Sequence, residues 1–406
     1  MITRLAFRNL SAARGRSIVT LLLSFASTAL FIVYVAFMDG SHEQMIRSSV
    51  EIYTGYIHID AKGYREKGGY DYLIEDSAAA KRIASENPSV SVIAERFETF
   101  ALLSGDHKCV GAMVAGIEPS KEAAVSSLEK SLHTGRYLED NDTDAIYIGS
   151  DLAKRLGVGV GSQVAMVGSG TDYSIAADLF TVAGIFKTGL FEFDSASSFV
   201  NKPYLDGVMG SENMASYLVL DYDHGRAVDE VVKPLNSALP EPLEAVSWKI
   251  LLASLLQAML LDSVFGYLSI SIFFVVIFFV IMIFGYVNIN ARTKEIGVLR
   301  ALGMSPKRIF GLLFSEALIL GTLSVAAGTV AGAATAYYFE LHPIVIPGIA
   351  ETYKEWGVIT DKIPMRFDPF TIAWNAVLVF VLNLLAVLYP IAKVNQLSPM
   401  EAIRHV

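Results

Sequence analysis

Three stretches of this sequence, 17–38, 264–290 and 370–392, carry no charged residue, and a fourth, 309–339, carries only Glu316. A helix rises 1.5 Å per residue, so about twenty such residues cross the ~30 Å hydrocarbon core of a bilayer. The sequence therefore predicts an α-helical membrane protein with four transmembrane helices. Basic residues set the orientation. Arg4, Arg8, Arg14 and Arg16 precede the first run, Arg292, Lys294, Arg300, Lys307 and Arg308 lie between the second and third, and Lys393 and Arg404 follow the fourth. Segments 1–16, 291–308 and 393–406 are expected in the cytoplasm, with 39–263 and 340–369 on the other side.

The first run is longer than the apolar region of a signal peptide and no clean small-residue cleavage site follows it, so it reads as an uncleaved anchor. Ahead of it, Ile2, Leu5, Ala6 and Ala13 share one helical face while Arg4 and Arg8 share another. Residues 1–16 fit either an amphipathic helix lying in the headgroup layer or a plain continuation of the first span.

Between the first two spans the material changes. Residues 39–263 are acidic on balance, mixed in polarity and rich in turns, as in a soluble domain, and long domains translocate largely regardless of charge. Cys109 is the sole cysteine, so no internal disulfide holds this domain and its fold rests on its core. YTGYIHIDA alternates like a strand, EDSAAAKRIASENP is a helix closed by Asn87-Pro88, and RFETFALLSGDHKCVGAMVAGI gives two strands around Gly105-Asp106. From Gly135 to about Ser211, IYIGSDLAKRLGVGVGSQVAMVG reads as a short helix and a strand hinged on Gly161-Ser162, and LFTVAGIFKTG as another strand. YLVLDYDHGRAVDEVVKPLNSAL is strand, turn and helix, placed to complete the first sheet. The expectation is an α+β extracytoplasmic domain interrupted by a smaller β-rich insert.

From Ile250 to Asn290 only Asp262 is charged, roughly 60 Å of helix, more than a bilayer needs. Leu251, Leu252, Leu255, Leu256, Met259 and Leu260 recur at helical spacing, and Met45, Ile46 and Val50 offer a facing stripe. This excess is either a stalk beyond the membrane or a core helix of the outer domain.

The motifs of enzyme chemistry are missing. There is no phosphate-cradling G-x-x-x-x-G-K-[ST] loop, no H-E-x-x-H or paired Cys/His spacing, and no G-x-S-x-G elbow. The acidic run Asp140–Asp144 lacks the glycine and terminal glutamate of a calcium loop and reads as a solvated turn, with His58 and His107 solvated or satisfied locally. The chain is expected to carry no catalytic site, metal or cofactor of its own. Glu316 is an acid near hydrocarbon and is expected to find a structural partner, with proton transport the other reading. Gly321, Ser324, Gly328, Gly332 and Thr335 share a small-residue face that lets another helix approach. Between the second and third spans, Ile296, Leu299 and Leu302 give a short helix an apolar edge, Gly303 ends it, and Ser305-Pro306 starts the next. From spacing alone this hairpin is a coupling elbow or merely a basic interfacial loop.

Residues Asn290–Ala317 and the tail PIAKVNQLSPMEAIRHV resemble the permease signature of the MacB, FtsX and LolC/LolE superfamily of ABC transporters, whose "LRALG" and "L-x-P-x-E-A-I/L-R" elements they match. The layout is similar throughout: one span, a large MacB-like periplasmic core domain, then three spans. FTVAGIFKTGLFEFDSASSFV and ITDKIPMRFDP resemble the lipoprotein-releasing LolC/LolE branch more than the efflux branch.

The resemblance implies a dimer, of two copies or with a second permease, in the bacterial inner membrane, its large domain in the periplasm. Two copies of a separate ATPase, holding ATP and Mg, would sit on the elbows. Glu295, Ile296, Leu299, Arg300, Gly303 and Pro306 would form the coupling element, and Gly184, Phe186, Gly189 and Asp194 mark the outer domain's family motif. The cargo implied is a triacylated lipoprotein, drawn from membrane lipid and passed to a periplasmic chaperone. No chaperone-docking hook is carried over onto this chain, and nucleic acid is not among the partners. Leu256, Met259, Leu260 and Phe265 are expected to line the path by which acyl chains reach the permease. The alternatives are a MacB-like efflux permease, although that pump has its ATPase fused on one chain and this chain begins with the anchor, and an FtsX-like signalling scaffold, expected to have a smaller outer domain.

Overall fold

The computed structural model describes residues 14–105, 108–346, 348 and 362–395. The expected amphipathic segment before Arg14, His107, most of the last outer loop and the 396–406 tail lie outside the described residues. Among the described residues four long apolar helices are present: α1 (Arg14–Ser49), α2 (Ala253–Asn290), α4 (Pro306–Leu341) and α5 (Pro369–Asn395), with a short α3 (Thr293–Ala301) between the second and the third of them. All four are long and apolar enough to cross a membrane. The chain divides into a membrane unit, Met1–Glu43, Ala258–Val345 and Lys362–Val406, and an outer unit, Gln44–Gln257 with Ile346–Asp361.

In the membrane unit α4 packs on α5, and α1 lies against both α2 and α4. Phe31 of α1 meets Phe274 of α2 edge to face at 4.6 Å. Close packing on α4 needs small residues: a Cβ on Gly328 would sit 2.7 Å from the Phe25 carbonyl oxygen, and one on Gly332 2.9 Å from Ile32 Cβ. Gly321, about two turns earlier, lies against Phe380 of α5. The predicted small-residue face thus serves two neighbours at different heights: Gly321 lies within about 20° of the Gly328–Gly332 ridge but about two turns earlier along α4.

Among its described residues the outer unit is built on ten strands: β1 (Ile57–Ala61), β2 (Val90–Ser104), β3 (Cys109–Ile117), β4 (Leu132–Gly135), β5 (Ala145–Gly149), β6 (Gln163–Ser169), β7 (Ile175–Phe186), β8 (Ser197–Asn201), β9 (Tyr217–Tyr222) and β10 (Leu243–Ser247). They run in the order β10-β1-β9-β2-β3-β8-β5-β7-β4, with β6 bridging β2 and β7. That bridge closes β2, β3, β8, β5, β7 and β6 into a ring. The β-rich block is therefore not a separate insert. The fifteen-residue β2 is shared: Val90–Arg96 pairs with β9, and Leu102–Ser104 with β6. Its period-two pattern puts Phe97, Ala101 and Leu103 into the ring's core with Val164, Met166 and Phe180. A second core, around Ile57, Ile59, Leu218 and Leu220, is covered by the helices Ser77–Ser85 and Val228–Ala238.

Where α1 ends, a five-residue π-helical turn, Val50–Thr54, meets the sheet. Arg96 of β2 is wholly buried there. Its guanidinium donates to both Glu122 oxygens, at 2.9 and 2.7 Å, and to the Tyr53 carbonyl at 2.6 Å, while stacking 3.8 Å from the Tyr53 ring centre. The hydroxyls of Tyr53 and Tyr217 both donate to Glu98. His58, read from sequence as solvated or satisfied locally, is buried, stacked on Tyr217 and bonded to the Thr54 carbonyl oxygen. Burial, and then the neighbouring Arg96, push its pKa down to about 3, so it is neutral at ordinary pH.

Asp60 sits on β1 directly opposite Glu244 of β10, with like charges paired across strands and Arg65 bonded to Glu244 and 3.4 Å from Asp60. Neither Asp60 oxygen has a hydrogen-bond partner among the described residues. Burial raises its pKa from 3.8 to about 6, against the pull of Arg65 and with Glu244 and Glu66 adding to the rise. The folded chain therefore binds this proton more tightly than the unfolded chain, and Asp60 loses stability as pH climbs from about 4 through 6. Asp60→Asn is expected to stabilise the protein by about 1–2 kcal/mol at pH 8, with the gain fading by pH 4. Thermal melts in detergent at the two pH values check this; an equal shift at both would show that charge is not the cause.

Candidate coupling site

The elbow forms because its sequence stops one helix and starts another within a few residues. Thr293 Oγ1 donates to the Asn290 carbonyl at 2.7 Å as α2 ends. After α3, Gly303 adopts φ 94°, a left-handed turn open to glycine without strain, and Ser305 is extended before Pro306 opens α4. Ile296 points inward and packs with Ile289, Ile309, Leu313 and Ile391. It belongs to the elbow's own core, and Leu299 is half-buried. The apolar surface that α3 presents is instead Val298 and Leu302, the latter 79% exposed, with Glu295 exposed beside them and Arg300 half-buried.

Behind the elbow lies a polar centre. Arg292, at the junction of α2 and α3, donates to Glu316 of α4 at 2.8 Å and to Glu295 at 3.1 Å. An unpaired charge in hydrocarbon costs about 2.5–3.5 kcal/mol on insertion scales, which is why Glu316 is held by an arginine from the elbow. This pair lines a cavity of about 70 Å³ with Thr20, Ser24, Asn288, Ser324 and Asn383, so all four long helices contribute. Ser324 Oγ and Asn383 Nδ2 each lie 2.9 Å from Ser24 Oγ, joining α4 and α5 to α1. Asn288 Oδ1 is buried without a hydrogen-bond partner among the described residues. A cavity of this size, edged by these polar groups, has room for water.

Sequence reasoning missed Ser24, Asn383 and the partner of Glu316. A lone serine or asparagine in an apolar run signals nothing until the helices are packed together. The remaining expected residues are more scattered. Met259 is buried while Leu260 and Phe265 are exposed and Leu256 is half-buried. At 100° per residue these four residues of α2 do not share one face. In the outer unit, Gly184 and Phe186 lie at the end of β7. The Asp194 carboxylate, almost wholly buried, accepts from the backbone N–H groups of Thr188 and Gly189 and from the Thr188 hydroxyl. This motif shapes a loop.

Two family models match. Residues 17–238 fit the MacB-like periplasmic core domain, and residues 267–399 the FtsX-like permease C-terminal domain. The chain belongs to the MacB/FtsX family of ABC-transporter permeases. The lipoprotein-releasing system transmembrane protein LolC of Xylella fastidiosa is 25% identical over 82% of each chain. LolC of Neisseria meningitidis is 23% identical over 94% of this chain and 92% of its own. Among solved structures, the periplasmic region of MacB from Actinobacillus actinomycetemcomitans, 14% identical, covers 52% of this chain and 94% of its own length at a TM-score of 0.39. A MacB/FtsX permease is a membrane-embedded subunit that is not itself the catalyst; nucleotide is used by its ATPase partner.

Proposed function

We propose that this permease extracts lipoproteins from the bacterial inner membrane for transfer to a periplasmic carrier. In this reading α3 and its flanks face the cytoplasm and carry two copies of a separate ATPase, and the outer unit is periplasmic. The observation that supports it most directly is the likeness to LolC chains across both the outer and the membrane portions. The largely bare surface of α2, with Phe265, Leu268, Ile272 and Val276 each more than half exposed, supports a second permease or lipid against it.

Leaving a bilayer costs an acyl chain about 0.8 kcal/mol per CH₂, so a lipoprotein transporter must offer apolar surface on the way. Leu260 and Phe265 are the exposed members of the expected path; Met259, being buried, would line it only after α2 moves. The test is a photo-crosslinker at Leu260 in membranes containing the ATPase and triacylated cargo, or the same cargo lacking acyl chains. Crosslinking and ATP-driven release are expected for the acylated form alone. Equal handling of both forms would overturn the lipoprotein reading and favour an efflux-type cargo.

A further inference from the structure

Arg292 stands where α2 ends, at Asn290, and α3 begins, at Thr293, so the elbow is hinged at this residue. Yet its guanidinium is bonded across to Glu316 of α4, and both side chains are largely withdrawn from solvent, at 16% and 10% exposure. A hinge residue tied to a neighbouring helix cannot turn without carrying that helix along or breaking the bond. An apolar contact at this position would slide under load. A charge-assisted hydrogen bond between two shielded groups resists sliding because separating them gives up a strong, directional bond in a place largely withdrawn from water.

From Glu316 the connection continues. About two turns along α4, Ser324 meets Ser24 of α1, and Asn383 of α5 meets the same hydroxyl. The cavity beside the pair, lined by both of its members and by all three of these polar residues, leaves space for side chains to shift without compressing a filled core.

We propose that the Arg292–Glu316 pair is a positioning joint that carries movement of the elbow into α4 and, through the Ser24–Ser324–Asn383 cluster, into α1 and α5. The joint deepens the transport reading above and rests on an ATPase acting at the elbow. It predicts a separation of effects. Losing the pair leaves the exposed ATPase-facing surface of α3 intact, so nucleotide is still bound and hydrolysed while the membrane helices no longer follow.

The experiment uses the full chain with its ATPase in nanodiscs, comparing the native chain, Glu316→Gln, Arg292→Met and the charge exchange Arg292→Glu with Glu316→Arg. ATPase association, ATP hydrolysis and triacylated cargo released per ATP are read, with the nucleotide-driven change in distance between spin labels at Lys294 and Leu22 as a readout independent of cargo. The neutral variants are expected to keep ATPase association and hydrolysis but to lose roughly tenfold in release per ATP and the distance change, and the exchange to recover both to within about threefold. Native coupling in Glu316→Gln overturns the proposal. So does loss of ATPase association in step with release, or failure of the exchange to recover either readout, since each marks a merely structural pair. A native complex that moves its labels with nucleotide but releases no acylated protein overturns the cargo reading alone, and the joint is then judged on the label distances.

Discussion

Glu122→Ala is expected to unfold much of the outer unit at physiological temperature. The substitution leaves the guanidinium of Arg96, with no exposed surface, facing a cavity where two charge-assisted hydrogen bonds had been. Removing one partner of a buried pair costs about 3–5 kcal/mol, a large part of the 5–15 kcal/mol that holds a domain together. Circular dichroism melts and protease sensitivity of the full chain in detergent read the loss. Replacing both residues by apolar ones, Arg96→Met with Glu122→Leu, should recover part of it, because no charge is then stranded. A melting point unchanged in Glu122→Ala would mean that Arg96 reaches water, contrary to its burial.

Leu302→Asp is expected to abolish ATPase association while leaving the permease folded. Leu302 is 79% exposed at the end of α3 and touches no core, so the change is harmless to the isolated chain. In a partner's apolar groove the same carboxylate would be buried unpaired, at about 3–5 kcal/mol, which weakens binding by roughly 100- to 4,000-fold. Co-purification with the ATPase and the yield of folded permease separate the two effects. Leu299, half-buried in the elbow, would confound them. Normal association of the Leu302 variant would place the ATPase contact elsewhere.

The four spans, the elbow's break at Gly303 and Ser305-Pro306, and most outer strands were legible in the sequence because each depends on local chemistry. Length and absence of charge define a membrane helix, a glycine tolerates a left-handed turn, and alternation marks a strand. The family, too, was legible, since its motifs lie in short runs such as LRALG. Partnerships across the chain were not. The ring closed by β6 depends on one long strand serving two neighbours, and periodicity within β2 is the same whichever neighbour it takes.

The same division holds at the candidate coupling site. The sequence by itself determined that Glu316 would need a partner, since a carboxylate near hydrocarbon is too costly to leave alone. Only the tertiary structure decided that Arg292, at the elbow's hinge and 24 residues away, is a partner. Likewise, Ile296 and Leu302 look alike as apolar residues of one short elbow, and packing alone made the first a core residue and the second a surface. The reason is physical: the cost of an unpaired charge or an exposed leucine is a property of the residue, whereas what relieves it depends on which helices the fold brings alongside.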